Sequence, residues 1–146
     1  MNRLNSVIAR EEAQPMKIKR LLLSVLSLAA LILEMLPNGV VLRFANPEGD
    51  PWVRTYSHFD LTPFGYANFG LLIAAVLTCV LLLLVVIYFF KPRKGLNTAI
   101  MNVSGFAAVA AFAPVMFGVE YLTVIGIVVG LLLAATFGAC FIKEKQ

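Results

Sequence analysis

At 146 residues the chain is 60% hydrophobic and only 14% charged, with a mean hydropathy of +0.88, which is more apolar surface than one soluble domain of this size can hide in its core. Its 12 Lys and Arg against 8 Asp and Glu give a formal charge of +4, but the basic residues stand in separate groups at the ends of apolar runs. That distribution argues against a nucleic-acid partner and reads as a device for orienting the chain in a lipid bilayer.

Taken in chain order, residues 1–20 read as a cytoplasmic N-terminal tail, either disordered or lying on the membrane surface. Glu11 and Glu12 stand beside Arg10, and Pro15 precedes the basic group Lys17, Lys19 and Arg20. Between Arg20 and Arg43 the only charge is Glu34, so a first span is expected over 21–42, near the 20 or so residues a bilayer requires. No Ala-x-Ala-like site follows it, which favours an uncleaved anchor over a signal peptide. Pro37, Asn38 and Gly39 break the helix, which either ends at Leu36 or continues kinked to Leu42.

The segment 43–68 carries Pro47, Gly49, Pro51, Pro63 and Gly65, too many breakers for one continuous regular element. It is read as one external loop, dense in aromatic residues from Trp52 to Phe69 and folded back as a cap over the helix ends. Thr62 and Pro63 form a helix-start signal. The uncharged run 69–90 is the strongest span and closes on Lys91, Arg93 and Lys94. A third span over 96–117 is rich in Ala and carries Asn102, Ser104 and Pro114, the last expected to kink the helix and free the Ala110 carbonyl. A tight reversal around Gly118 and Glu120 leads into a fourth span over 121–142, and residues 143–146, with Lys143 and Lys145, form a cytoplasmic tail.

The basic groups fall on one side of such a bundle and the long loop on the other. The expectation is therefore an all-α, four-helix integral membrane bundle with both termini cytoplasmic. Size and economy point to a bacterial cytoplasmic membrane, with the protein as a multi-pass component of that cell membrane. Cys79 and Cys140 lie in apolar runs at different expected depths, so no intrachain disulfide is expected.

Small residues recur every fourth position at Gly126, Gly130, Ala134 and Gly138, a pattern that lets helix backbones approach. They are expected to pack against Ser104, Ala107, Ala108 and Ala111 of the third span, with a homodimer contact as the alternative. Glu34 is the one ionisable residue well inside an apolar span. It sits about 21 Å along the helix from Arg20 and is either a proton- or cation-binding carboxyl or an interfacial group paired with Arg43, His58 or freed backbone. In the loop, Trp52, Arg54, Tyr56, His58, Asp60 and Tyr66 are candidates for an external recognition surface. His58 and Asp60 alone are too few to make a metal site.

No CxxC pair marks the chain as a quinone-linked disulfide-forming four-helix enzyme. Glu34 falls late in its span, unlike the carboxylate of small multidrug exporters, and the loop lacks the cysteine pair of claudin-like proteins. No nucleophile sits beside a base and no phosphate-binding glycine loop is visible, so neither catalysis nor a cofactor is expected. The leading expectation is a non-enzymatic accessory or interaction component of a membrane assembly, with a membrane-protein partner or a homo-oligomer. The alternative is a small oligomeric transporter or channel subunit using Glu34.

Overall fold

The computed structural model describes residues 2–60 and 69–142, with side chains described from Lys17 onward. The fold is mostly helical, with four long helices: α1 (Asn2–Glu34), α2 (Phe69–Phe90), α3 (Lys94–Ala111) and α4 (Val124–Ala139). Consecutive helices run antiparallel, and each packs on its chain neighbours, with α4 returning to α1 to close the ring. Of the helices in the described residues, α2 alone is both long and apolar enough to cross a membrane; α4 is apolar but has 16 residues.

The first helix begins well before the first apolar run and stops just short of Pro37, as one of the two expected courses had it. It is already formed at Asn2, within the segment expected to be either disordered or lying on the membrane surface, and it runs through Pro15. A single proline forfeits one backbone donor, and a 33-residue helix continues past that loss. At the other end α1 stops at Glu34, so the helix does not pass Pro37. Its inward face is the stripe Lys19, Leu23, Ser27, Ala30 and Glu34, all buried and spaced at three or four residues as one helix face requires.

The loop is more regular than its breakers suggested. Strands β1 (Val40–Phe44) and β2 (Trp52–Tyr56) pair antiparallel, Val40 opposite Tyr56 and Phe44 opposite Trp52. Pro47, Gly49 and Pro51 are confined to the turn, where the Asn46 carboxamide accepts from the Glu48 amide at 3.2 Å. The two strands do different work. Val40 and Leu42 are fully buried and cluster with Leu71 of α2, whereas Trp52 is 62% exposed. The aliphatic strand thus supplies the buried part of the cap, with Tyr56 packed against the same cluster, while residues 52–55 of β2 stand outside it. The Thr62–Pro63 helix start lies outside the described residues.

Regular α-helix in the third segment ends at Ala111 and gives way to a 3-10 turn, Ala113–Met116, with Pro114 near its start. Proline therefore ends the helix here instead of kinking it. Gly70 of α2 lies against this break: a Cβ there would run into Ala113 and come within 2.9 Å of the Ala110 carbonyl. A second 3-10 turn, Val119–Tyr121, completes the reversal after Gly118, whose φ of +142° is one that favours glycine. Thr123 then caps α4 by accepting from the Gly126 amide at 2.9 Å.

Ser104, Ala107, Ala108 and Ala111 are all buried on α3. On α4 the small-residue stripe divides: Gly126 and Gly130 are buried, whereas Ala134 and Gly138 are exposed. A four-residue step overshoots a helical turn by about 40°, so a stripe of this period rotates out of the interface within three steps. Nothing lies within 4 Å of a Cβ at Gly138. Gly138→Ala is therefore expected to stabilise the protein by about 0.5–1 kcal/mol through helix propensity, read as a raised melting temperature in detergent.

Candidate functional site

The stop of α1 and the return of the chain after β2 build a polar site beneath the hairpin. Glu34 is the last residue of α1 and is fully buried. Its Oε1 accepts from the Thr78 hydroxyl of α2 at 2.9 Å, and that hydroxyl also lies 2.9 Å from the Ala74 carbonyl of its own helix. Its main-chain carbonyl accepts from the His58 amide at 3.1 Å. That bond draws residue 58 inward, so His58 is 1% exposed and does not belong to the surface on which it was expected. Gly39 makes room for it, since a Cβ at that position would run into the imidazole.

Three buried polar atoms in this site have no hydrogen-bond partner among the described residues: Glu34 Oε2 and both ring nitrogens of His58. Groups of this kind each cost roughly 1–3 kcal/mol when orphaned, and such exceptions gather where a protein has work to do. The side chains of Leu31, Met35, Ser57, Phe59 and Cys79 line an open cleft of about 320 Å³ beside the site. Met35 follows Glu34 in the chain, Ser57 and Phe59 flank His58, and Cys79 follows Thr78, so each of the three polar residues has a chain neighbour in the cleft wall.

Burial without partners holds His58 neutral: its pKa is pushed down from 6.5 to about 4 by loss of water. The unfolded chain binds this proton as pH falls through the ordinary imidazole value, while the folded chain resists until about 4. Stability present above pH 6.5 therefore drains away between 6.5 and about 4, by up to about 3 kcal/mol. His58→Gln removes that dependence. Melting curves taken across this range are expected to show the variant gaining on the wild type as the medium is acidified; parallel curves would refute the assignment.

The other expected surface residues divide. Trp52 and Arg54 are exposed and Tyr56 is half-buried on β2, and Tyr66 lies outside the described residues. Asp60 acts locally, its Oδ2 accepting from the Ser57 amide at 2.7 Å, and makes no pair with His58. No cluster that could hold a metal ion is present among the described residues, and both cysteines are free thiols.

At the opposite end of the bundle lies a polar group that charge counting missed. Lys19 is 3% exposed, and its ammonium donates to the carbonyls of Cys140 and Ile142, both at 3.1 Å. Asn97 of α3 donates to the same Cys140 carbonyl at 3.3 Å, and Arg20 donates to the Phe89 carbonyl of α2 at 3.3 Å. The signal for Lys19 was present in its spacing from Leu23 and Ser27, which puts it on the buried face. No family model matches the chain, and comparison with curated proteins and with solved structures found no match.

Proposed function

We propose that this chain is a four-span protein of a cell membrane, the bacterial cytoplasmic membrane by its size and economy, and that it works as a non-enzymatic interaction component through its external hairpin. The observation that carries the membrane part is the inverted distribution of polarity. Large apolar side chains face outward on every helix: Val25 and Ile32 on α1, Ile73 and Leu83 on α2, Phe106 and Val109 on α3, and Val124 and Leu131 on α4. Ser27, Thr78, Ser104 and Thr136, one hydroxyl from each helix, are fully buried instead. A soluble protein does not sustain an apolar exterior of this extent, whereas lipid favours it and asks that hydroxyls bond to their own helix. Three do so, Ser27 with Leu23, Ser104 with Met101 and Thr136 with Leu132, and the Thr78 hydroxyl lies 2.9 Å from the Ala74 carbonyl as well as from Glu34 Oε1.

The basic flanks support an orientation with the hairpin outside and both termini cytoplasmic. Within the hairpin, β1 is fastened to the bundle by Val40 and Leu42, and Val40 also bridges to Leu122. Residues 52–55 of β2 are all exposed, and among the described residues β2 pairs only with β1. A strand so presented can add a partner's extended segment by backbone hydrogen bonds, with Trp52 and Arg54 supplying side-chain recognition.

Two measurements test the reading. Thr55→Cys in intact cells is expected to react with a membrane-impermeant maleimide; reaction only after lysis would sink the orientation. A photo-crosslinking residue at Trp52 is expected to capture a membrane-protein partner that the same residue at buried Leu133 does not. Identical captures from both positions would remove the hairpin from the proposal.

A further inference from the structure

We infer that Glu34, Thr78 and His58 form an occluded proton-binding site, loaded from the hairpin side through the cleft beside Phe59. The inference goes beyond the interaction reading and does not rest on it, because the site lies beneath β1 and uses no residue of the exposed strand.

The geometry assigns a role to each group. Thr78 fixes one carboxyl oxygen of Glu34 by donating to Oε1 at 2.9 Å, which leaves Oε2, buried and unpartnered, as the atom that receives the proton. His58 is tied to the same residue through its backbone amide at 3.1 Å. Its imidazole is buried too, with neither ring nitrogen partnered. In the step itself an O–H bond of a hydronium ion in the cleft breaks and an O–H bond at Oε2 forms. The carboxylate becomes a neutral acid, a water molecule is left behind, and no electron moves. Release is the reverse.

Among the described residues no fixed charge neutralises the carboxyl. α1 carries no other ionisable side chain between Arg20 and Glu34. From α2 come Thr78 and the free thiol of Cys79. The loop brings His58, with Asp60 held by the Ser57 amide and Tyr56 half-buried. From the α4 side come Thr123, bonded to the Gly39 carbonyl at 2.8 Å, half-buried Tyr121 and exposed Glu120. A carboxyl held in such surroundings changes the charge of its whole site when it titrates, which is how proton-linked membrane proteins couple protonation to movement. The Ser57–Asp60 turn contributes Ser57 and Phe59 to the cleft wall and is joined to α1 by the bond from the His58 amide to the Glu34 carbonyl.

The test is infrared difference spectroscopy of the purified full chain in lipid nanodiscs, recorded as pH is stepped. A carboxylic C=O band is expected to appear on acidification and to shift in D2O. It should vanish in Glu34→Gln, persist in Glu120→Gln, and move in frequency in Thr78→Val, which keeps Glu34 but removes the hydroxyl on Oε1. The Thr78→Val band keeps the test open if Glu34→Gln fails to fold. A Glu34 band that is constant at every pH overturns the inference, as does a band that responds to sodium concentration but not to pH. Absence of any band sensitive to both substitutions overturns it as well.

Discussion

Lys19→Met is expected to destabilise the protein by about 2–4 kcal/mol, while Lys17→Met, two residues away, changes stability by less than about 0.5 kcal/mol. Both substitutions remove one positive charge from the same basic group, so they are equal in any account that treats these lysines only as orienting charges. They differ in where the ammonium goes. Lys17 is exposed. Lys19 is 3% exposed and donates to the carbonyls of Cys140 and Ile142, just past the end of α4, where the helix dipole adds to the attraction. Methionine replaces the aliphatic stem but leaves the carbonyls, which belong to the backbone and cannot be replaced by anything apolar. Asn97 still serves Cys140, so Asn97→Leu in the Lys19→Met background is expected to cost more than it does alone. Unfolding followed by helical circular dichroism in mixed micelles measures all four species. Equal effects at positions 17 and 19 would show that the buried contact contributes nothing.

That contrast marks how far the sequence could be read. Four helices were legible because each rests on a long apolar run, and the lone carboxyl of Glu34 stood out for the same reason. The hairpin was obscured by counting breakers across 43–68 as one set, although Pro47, Gly49 and Pro51 all fall between two short strands. The alternation of buried Val40 and Leu42 with partly or fully exposed Val41 and Arg43 is the period-2 signal of a half-buried strand. His58 was misplaced because nothing local reveals that its amide will bond residue 34 across the loop. Thr78 could not be assigned to Glu34 at all, since 44 residues separate them and a lone Thr in an apolar run ordinarily bonds its own helix. Local periodicity carries the elements, then, while the site depends on contacts that only the packed ring of helices brings about.

Gly39 is where those contacts meet, and Gly39→Val is expected to cost about 3 kcal/mol, with Gly39→Ala at about 1–3. The residue donates its amide to the Tyr56 carbonyl at 2.8 Å and accepts from the Thr123 hydroxyl at 2.8 Å. The hairpin and the start of α4 thus hang on one residue. Gly126 approaches the same carbonyl, which would stand 3.1 Å from a Cβ at that position. Its φ is not in the left-handed region, so the demand for glycine is one of space alone. A side chain at residue 39 must displace the His58 imidazole or push back the Tyr56 carbonyl, which lies 3.2 Å from the position of a Cβ. The imidazole is the softer of the two because its ring nitrogens hold no partners. Gly39→Ala should therefore expose His58, and diethyl pyrocarbonate, which spares the buried ring of the wild type, is expected to modify it. Removing the obstacle should restore tolerance: in a His58→Ala background, Gly39→Ala is expected to lose most of its penalty, a coupling of about 1 kcal/mol or more. Strict additivity of the two substitutions would mean that the glycine answers to the Tyr56 carbonyl, and that His58 is packed by something other than the absence of a side chain at residue 39.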